Sequence, residues 1–226
     1  MSGFSVVLDF DGLFLDTEWC EYRTVADVFT AHGTELSLDL WLTFIGTTDH
    51  PHWADVLEGQ LGHAIDRPEW VPARRLAAVE CARELELLPG VGLLLDQLDE
   101  AGVRYGVASS SPADWVELHL GERGLLDRLA TVVTGDEVHL TKPDPALYRI
   151  ACERMEVDPA TAVALEDSVH GVTAAKAAGM WAVAVPSYLT QAMDFSHADL
   201  QVSSCMELDV PRLAALVGGH GTGLGG

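Results

Sequence analysis

The part of the chain after residue 89 alternates strand-like and helix-like segments, and this alternation restricts the possible folds more than any other feature. Four short apolar segments are typical of strands, at residues 103–110, 129–135, 161–167 and 180–186. The segments between them have the patterns of helices. Strands that alternate with helices form parallel units with right-handed crossovers. The sequence therefore predicts an α/β fold built on an open parallel sheet.

The first 88 residues add one strand and one long interruption. Residues 4–10 are short, β-branched and bounded by glycine, as expected of a buried strand that joins the same sheet. Residues 17–88 show only helical patterns, including a strong helix-forming run that starts near Pro72. We predict an all-helical insert at 17–88, within a core formed by residues 1–16 and 89–217.

The composition argues against several classes of partner. The chain has 226 residues, with 35 acidic residues against 13 lysines and arginines and a formal net charge of −22. Nucleic acids and anionic membranes require basic surfaces, so we expect neither as a partner. No apolar run reaches the roughly 20 residues that span a bilayer. A small phosphorylated metabolite remains compatible with this charge if the site supplies its own cation.

The chain ends and the cysteines support a cytoplasmic location. The amino terminus lacks the basic segment of a signal peptide, and the glycine-rich residues 218–226 are expected to form a flexible tail. The four cysteines are far apart, without metal-binding spacing, at positions 20, 81, 152 and 205. We predict reduced thiols rather than disulfides or a zinc site, in a protein that is a monomer or a weak homodimer.

The first predicted strand ends in a cluster of acids, in the segment "VVLDFDGLFLDTE". Asp9 and Asp11 directly follow its apolar residues. Two carboxylates about 4 Å apart repel by roughly 1 kcal/mol in water and by about 4 kcal/mol at an effective dielectric constant near 20. Such a cluster requires positive charge nearby.

The other predicted strands also end in residues capable of chemistry. Ser109 ends the second strand, Lys142 follows the third in "LTKPDP", and Glu166 and Asp167 end the fourth in "ALEDS". The carboxyl ends of parallel strands meet at one edge of a sheet, where ligands bind. The sequence therefore brings four carboxylates, one hydroxyl and one ammonium group to the same edge.

This ordered set resembles the haloacid dehalogenase superfamily, in its β-phosphoglucomutase-like phosphatase branch. The matching pieces are "DFDGLFLDT", a serine after an apolar strand, a lysine before a proline, and "EDSVHG", and together they span residues 9–171. The resemblance implies a Rossmann-like open parallel sheet core. It also implies that the inserted all-helical domain is the type-1 cap of that family.

The resemblance implies a role for each catalytic residue. Asp9 would attack phosphorus and form an aspartyl-phosphate, and Asp11 would act as general acid and base. Ser109 would donate a hydrogen bond to a phosphoryl oxygen. Lys142 would neutralise the charge of the phosphate and of Asp9. Together these roles describe phosphoryl transfer.

The resemblance also implies a metal site and a substrate site. Mg²⁺ would be held by Asp9, Asp167 and the main-chain carbonyl of Asp11, with Glu166 as an outer ligand. Four further residues are assigned to substrate binding, at the first turn, the serine loop and the cap loop: Gly12, Ser110, Gly46 and Thr47.

Other side chains have simpler interpretations. Ser111 is expected to cap the helix at Pro112. His50 and His52 are interpreted as surface histidines, and Arg74 and Arg75 as solvated arginines of a helix. Three aromatic residues at helical spacing are assigned to the core of the insert: Trp41, Phe44 and Trp53.

The predicted function is a Mg²⁺-dependent phosphatase of a small phosphomonoester such as a sugar phosphate. The alternative is a β-phosphoglucomutase-like mutase, but this chain has Glu21 and Asp49 where the mutase would carry a histidine and an arginine. A dehalogenase would lack Asp11. A non-catalytic phosphate-binding module would be expected to have lost Asp9 or Lys142.

Overall fold

Six parallel strands form one sheet in the computed structural model of the chain, which describes residues 3–47 and 49–218. The strands are β1 (Ser5–Leu8), β2 (Tyr105–Ala108), β3 (Val132–Val133), β4 (Ala162–Glu166), β5 (Trp181–Ala184) and β6 (Leu200–Gln201). Their order is β3-β2-β1-β4-β5-β6, and every neighbouring pair is parallel. The predicted open parallel sheet is confirmed, with the acid-bearing first strand at its centre.

Helices cover both faces of this sheet. They are α5 (Val91–Glu100), α6 (Ala113–Glu122), α7 (Ala146–Arg154), α8 (Val169–Ala178) and α9 (Val210–Gly218). Val6 and Leu8 of β1 pack into the layer that contains α5, α6 and α9, whereas Val7 packs into the layer of α7 and α8. Because β1 is buried on both faces, its sequence is an unbroken apolar run.

Between β1 and α5 the described residues form four helices and no strand, apart from an isolated β-bridge between Asp11 and Leu15. The helices are α1 (Thr17–Ala31), α2 (Leu38–Leu42), α3 (Trp53–Leu61) and α4 (Arg67–Arg83). A separate apolar cluster lies among these helices and includes the aromatic residues predicted as its core, Trp41, Phe44 and Trp53. However, Ala78 and Ala82 of α4 pack into a core layer of the sheet. The division of the chain into a core and a cap at residues 16–17 and 88–89 stays a prediction.

Two boundaries differ from the sequence prediction. Helix α4 begins at Arg67, so the predicted start near Pro72 is wrong, and Pro72 lies inside the helix. The Asp66 side chain accepts a hydrogen bond from Glu69 N and caps the earlier start. At the other end of the chain, α9 includes Gly218, which was assigned to the tail. Residues 219–226 of that predicted tail lie outside the described residues.

Cys20 and Cys81 form a disulfide, which corrects the prediction of four reduced thiols. The two residues are 61 positions apart in sequence, but they lie on the packed helices α1 and α4 with their Cα atoms 5.8 Å apart. Cys152 and Cys205 are buried and free. The spacing of the cysteines in the sequence did not reveal this disulfide, because the disulfide depends on how two distant helices pack.

We expect reduction of this disulfide to lower the free energy of unfolding by about 4 kcal/mol, the chain-entropy value for a loop of this length. Guanidinium unfolding with and without a phosphine reductant measures the change. The double variant Cys20→Ser/Cys81→Ser serves as the control, because its stability should not respond to the reductant. An unchanged unfolding midpoint for the reduced wild-type protein would contradict this expectation.

Within the described part of the chain, none of the helices combines the length and the apolar character needed to cross a membrane.

Candidate active site

The acids of two neighbouring strand ends lie together. Leu8 of β1 is paired with Leu165 of β4, so the residues that follow each strand meet at the same edge of the sheet. Asp9, Glu166 and Asp167 each offer a carboxylate oxygen, and these oxygens lie within 4.8 Å of one another. All three side chains are buried. The register of the central strands therefore builds an oxygen-rich cluster at the edge where sequence reasoning expected it.

Lys142 supplies positive charge to this cluster. Its Nζ atom donates to Asp9 Oδ1 at 2.5 Å and to Glu166 Oε1 at 2.6 Å, and the residue is 1% exposed. Burial by itself would lower the pKa of Lys142, but the negative charges of Asp9 and Glu166 outweigh burial and raise it. The side chain is therefore held as an ammonium ion between two carboxylates.

One lysine does not balance three buried acids. Burial, followed by the negative charge of Glu166, raises the pKa of Asp9 to about 8, although Lys142 opposes the shift. Burial and the charge of Asp9 raise the pKa of Asp167 well above its usual value. In addition, Asp167 Oδ2 is buried without a hydrogen-bond partner among the described residues. A cluster of carboxylate oxygens whose negative charge exceeds the positive charge of Lys142 fits a hard divalent cation such as Mg²⁺.

Both oxygens of Glu166 are occupied by hydrogen bonds. Lys142 and the hydroxyl of Tyr148, which donates at 2.5 Å, bind Oε1, and the N–H and Oγ–H of Ser168 donate to Oε2. A Cβ atom on Gly171 would lie 1.9 Å from this carboxylate, so only glycine fits there. Glu166 thus holds Lys142 in place. Sequence reasoning missed Tyr148 because a tyrosine on the buried face of α7 resembles ordinary core.

Gly12 permits a close approach between the first turn and Asp167. Its φ angle is +73°, and a Cβ atom there would lie 2.0 Å from Asp167 Oδ2. The N–H of Gly12 donates to Leu15 O at 2.9 Å. Gly12 makes room for the metal-binding candidate Asp167, and its predicted contact with substrate stays a prediction.

The carboxylate of Asp11 accepts hydrogen bonds at both oxygens. Thr17 Oγ1 and Trp115 Nε1 donate to Oδ1, at 2.7 and 2.8 Å. Ser111 Oγ and Ser109 Oγ donate to Oδ2, at 2.6 and 3.3 Å. These donors come from α1, from the loop after β2 and from α6, so Asp11 connects the helical insert to the sheet.

Ser111 does not cap the helix at Pro112, which corrects the sequence prediction. Helix α6 has no capping bond from the side chain of its preceding residue, and Ala113 N donates instead to Asp136 Oδ2 at 2.7 Å. Asp136 comes from the loop after β3, so a distant residue takes the capping role. Ser111 is therefore available to Asp11.

A cavity of about 230 Å³ lies between the sheet edge and the insert. Four predicted catalytic residues line it: Asp9, Asp11, Ser109 and Lys142. Three of the four predicted substrate-binding residues line it as well, namely Ser110, Gly46 and Thr47. Ser110 Oγ donates to the carbonyl of Gly46 at 3.2 Å, which joins the loop after β2 to the loop after α2. The structure therefore brings the predicted catalytic residues and three of the predicted substrate-binding residues to one cavity.

The insert contributes polar residues that the sequence analysis assigned to the surface. His50 and His52 are exposed but line this cavity; His50 stacks on Phe44 with ring centroids 4.3 Å apart, and His52 Nδ1 accepts from Ala54 N. Glu18 also lines the cavity, and burial, followed by nearby negative charge, raises its pKa well above the usual value.

The two adjacent arginines of α4 have different environments. Arg74 is 9% exposed and forms an ion pair with Glu21, so its interpretation as a solvated arginine is wrong. Arg75 lines the cavity, lies over the ring of Trp115 at 4.7 Å and pairs with Asp114. These three contacts depend on the packing of α4 against other helices, which sequence periodicity does not report.

The chain is similar to known proteins in its match to a family model, in its sequence and in its structure. Residues 6–185 match the family model described as Haloacid dehalogenase-like hydrolase. The chain is 37% identical over 209 residues to "Putative phosphatase YhcW" of Bacillus subtilis (strain 168), covering 92% of this chain and 95% of that protein. It is 32% identical over 226 residues to Hexitol phosphatase B of Escherichia coli (strain K12), covering 92% and 96%. The crystal structure of CbbY from Rhodobacter sphaeroides in complex with phosphate superimposes with a TM-score of 0.75 at 27% identity, covering 92% of this chain and 98% of that one.

Proposed function

From the premise that this chain belongs to the haloacid dehalogenase-like hydrolase family and is a phosphoric monoester hydrolase, we propose a Mg²⁺-dependent phosphatase that acts through an aspartyl-phosphate. The proposed substrate is a small phosphomonoester, such as a sugar phosphate. The observation that carries the proposal is the buried Lys142 bound to Asp9, both of which line the cavity. The names of the relatives, which include a hexitol phosphatase, support the substrate class.

The proposed reaction has two displacements at phosphorus. A carboxylate oxygen of Asp9 attacks phosphorus, the bond to the leaving oxygen breaks, and Asp11 gives that oxygen a proton. Water then attacks the phosphorus of the aspartyl-phosphate, Asp11 takes its proton, and the bond to Asp9 breaks to release inorganic phosphate. Asp9 and Asp11 both line the cavity, which supports their proposed roles as nucleophile and as general acid and base.

Lys142 and Ser109 are proposed to hold the transferred group. The ammonium of Lys142 lies 2.5 Å from Asp9 Oδ1, so a phosphoryl group on that carboxylate would lie beside it. The Ser109 hydroxyl lines the same cavity and can donate to a phosphoryl oxygen. Phosphoryl transfer depends mainly on such positioning and charge neutralisation.

The proposed Mg²⁺ ligands are Asp9, Asp167 and the main-chain carbonyl of Asp11. Asp167 is a strong candidate because its Oδ2 is buried and lacks a partner among the residues that the structure describes. Both oxygens of Glu166 already accept hydrogen bonds. Glu166 is therefore proposed to support these ligands as an outer ligand of the cation. When bound, the cation would supply the positive charge that Lys142 alone does not.

The phosphatase is favoured over a β-phosphoglucomutase-like mutase. A mutase must hold the second phosphate of a bisphosphate, and that site needs a cationic clamp. In this chain the cavity contains the carboxylate of Glu21 where the resemblance would place a histidine. Arg74 pairs with this carboxylate, which, unlike a histidine, has no donor to offer a second phosphate.

Further properties also stay proposals. We propose a small phosphorylated metabolite as the partner, and a monomer or weak homodimer. The cytoplasmic location also stays a proposal.

Phosphate release tests the proposed function. We expect release from p-nitrophenyl phosphate or from a panel of sugar phosphates, and we expect it to require Mg²⁺. Failure to release phosphate from every ester at saturating Mg²⁺ would contradict the proposed phosphatase.

Asp167→Asn is expected to raise the Mg²⁺ concentration for half-maximal activity at least about tenfold, because even supporting residues of metal sites change affinity by this amount. A Mg²⁺ titration of phosphate release measures the shift. Asp127→Asn, which removes an exposed carboxylate, is the matched control and should leave the titration unchanged. An unshifted titration for Asp167→Asn would exclude its role as a ligand.

A further inference from the structure

Glu21 presents an unused hydrogen-bond acceptor on the cap side of the cavity. Both terminal nitrogens of Arg74 donate to the Oε2 atom of Glu21. Its other oxygen, Oε1, is buried and has no hydrogen-bond partner within the described residues. Leaving such an atom unpaired is costly. Because Glu21 lines the cavity, a bound ligand is the available source of a donor.

Trp41 presents an unused donor to the same cavity. The residue is 7% exposed, and its Nε1 is buried with no acceptor in the part of the chain that the structure covers. A tryptophan N–H can only donate, and it usually finds a partner when buried. Trp41 lines the cavity together with Glu21. The two residues therefore line the same cavity, one with an unpaired acceptor and the other with an unpaired donor.

A hydroxyl group is the simplest ligand that satisfies both atoms, because it donates one hydrogen bond and accepts others. An ionised phosphate or carboxylate on the leaving group could accept from Trp41 but has no proton to donate to Glu21 Oε1. An alkyl group would leave both atoms unpaired. The chemistry of the two residues thus selects a neutral, hydroxyl-bearing leaving group.

The volume of the cavity and its other lining residues agree with a neutral, hydroxyl-bearing leaving group. A volume of about 230 Å³ is below the roughly 300–1,000 Å³ of sites for drug-sized ligands, which favours a compact leaving group. Phe44 and Trp53 add aromatic surface to the cavity wall beside Trp41. Aromatic faces suit the carbon-bound hydrogens of a polyol, while its hydroxyl groups need polar partners.

We propose that Glu21 and Trp41 bind a hydroxyl of the leaving group, so that the enzyme selects phosphomonoesters of neutral polyols over alkyl phosphates and bisphosphates. This inference rests on the proposed phosphatase function. It makes Glu21 and Trp41 specificity-determining residues, separate from the residues that act on phosphorus.

A matched pair of substrates tests the inference: a hexitol phosphate and n-hexyl phosphate, which has the same number of carbons and no hydroxyl. We expect the wild-type protein to prefer the hexitol phosphate in kcat/KM by at least about tenfold, as expected for one or more buried hydrogen bonds. Equal kcat/KM values for the two esters would overturn the inference.

Trp41→Phe removes the N–H but keeps an aromatic ring. It should lower kcat/KM for the hexitol phosphate about tenfold through KM, with little change for n-hexyl phosphate or p-nitrophenyl phosphate. An equal loss with all three esters would show a merely structural role and overturn the proposal. Trp19→Phe is the control, because Trp19 is exposed on α1 and packs on Tyr188 away from the cavity.

Glu21→Met is the second variant, in case Trp41→Phe does not fold, because methionine removes both carboxylate oxygens whereas glutamine would keep an acceptor. It should also reduce the preference for the hexitol phosphate, and an unchanged preference would count against Glu21. The outcomes separate this inference from the proposed function. Hydrolysis of p-nitrophenyl phosphate without a preference for the hexitol ester overturns the inference alone. Absence of hydrolysis for every ester overturns both.

Discussion

Asp9→Asn is expected to lower phosphate release at least about 1,000-fold, in line with the loss of a catalytic nucleophile in other covalent enzymes. An amide oxygen is a poor nucleophile, and the substitution hardly changes the side-chain volume. The fold should persist because Lys142 keeps its second partner, Glu166, at 2.6 Å. Burial and the charge of Glu166 raise the pKa of Asp9 to about 8, so the charged form of Asp9 costs stability in the metal-free protein. Its neutral replacement should therefore unfold at a similar or higher temperature.

Phosphate release at saturating Mg²⁺ and a thermal unfolding curve measure the two effects separately. Asp127→Asn is the control for loss of one carboxylate on the surface, and it should keep wild-type activity. Turnover near the wild-type level in Asp9→Asn would contradict the nucleophile assignment. A large loss of stability would contradict the expected role of Glu166 as a second anchor for Lys142.

Lys142→Met is expected to destabilise the metal-free protein by about 3–5 kcal/mol, the usual cost of removing one partner of a buried ion pair. Lys142 is 1% exposed and bridges Asp9 and Glu166, whose carboxylates would then remain buried without their counterion. Methionine fills similar space, so the effect reports charge rather than a cavity. Activity should also fall strongly, because no other residue among those described as lining the cavity offers a buried ammonium group.

Urea unfolding in the presence of a chelator measures this change without compensation by a bound cation. Lys176→Met is the matched control, because Lys176 forms an ion pair with Asp199 at the surface of α8. Removal of such an exposed pair should change stability by no more than about 1 kcal/mol. Similar losses of stability in Lys142→Met and Lys176→Met would show that the buried ion pairs of Lys142 contribute no more to stability than an exposed pair.

The parts of the site that follow directly from strand ends could be predicted from the sequence. Asp9, Lys142 and Asp167 each follow a short apolar segment that alternates with helices. A parallel sheet brings all such ends to one edge, so their proximity requires no knowledge of side-chain packing. The structure places these residues around one cluster, and the register of β1 with β4 sets their spacing.

The parts that depend on contacts between helices could not be predicted. Tyr148 and Trp115 resemble ordinary core residues in their helices, yet their polar atoms donate to Glu166 and Asp11. Ser111 resembles a helix cap until Asp136 is seen in that role. In each case the hydrogen-bond partner is distant in sequence, so no local pattern reports it.

The sequence by itself therefore determined the parallel sheet, the helical insert and the set of residues at the strand ends, because periodicity and strand order are local or topological properties. Only the tertiary structure decided which oxygens of Glu166, Asp11 and Glu21 are bonded and which remain free. It also decided that Cys20 meets Cys81. These features depend on the relative positions of separate helices and loops, which are set by packing of the whole chain rather than by any single segment.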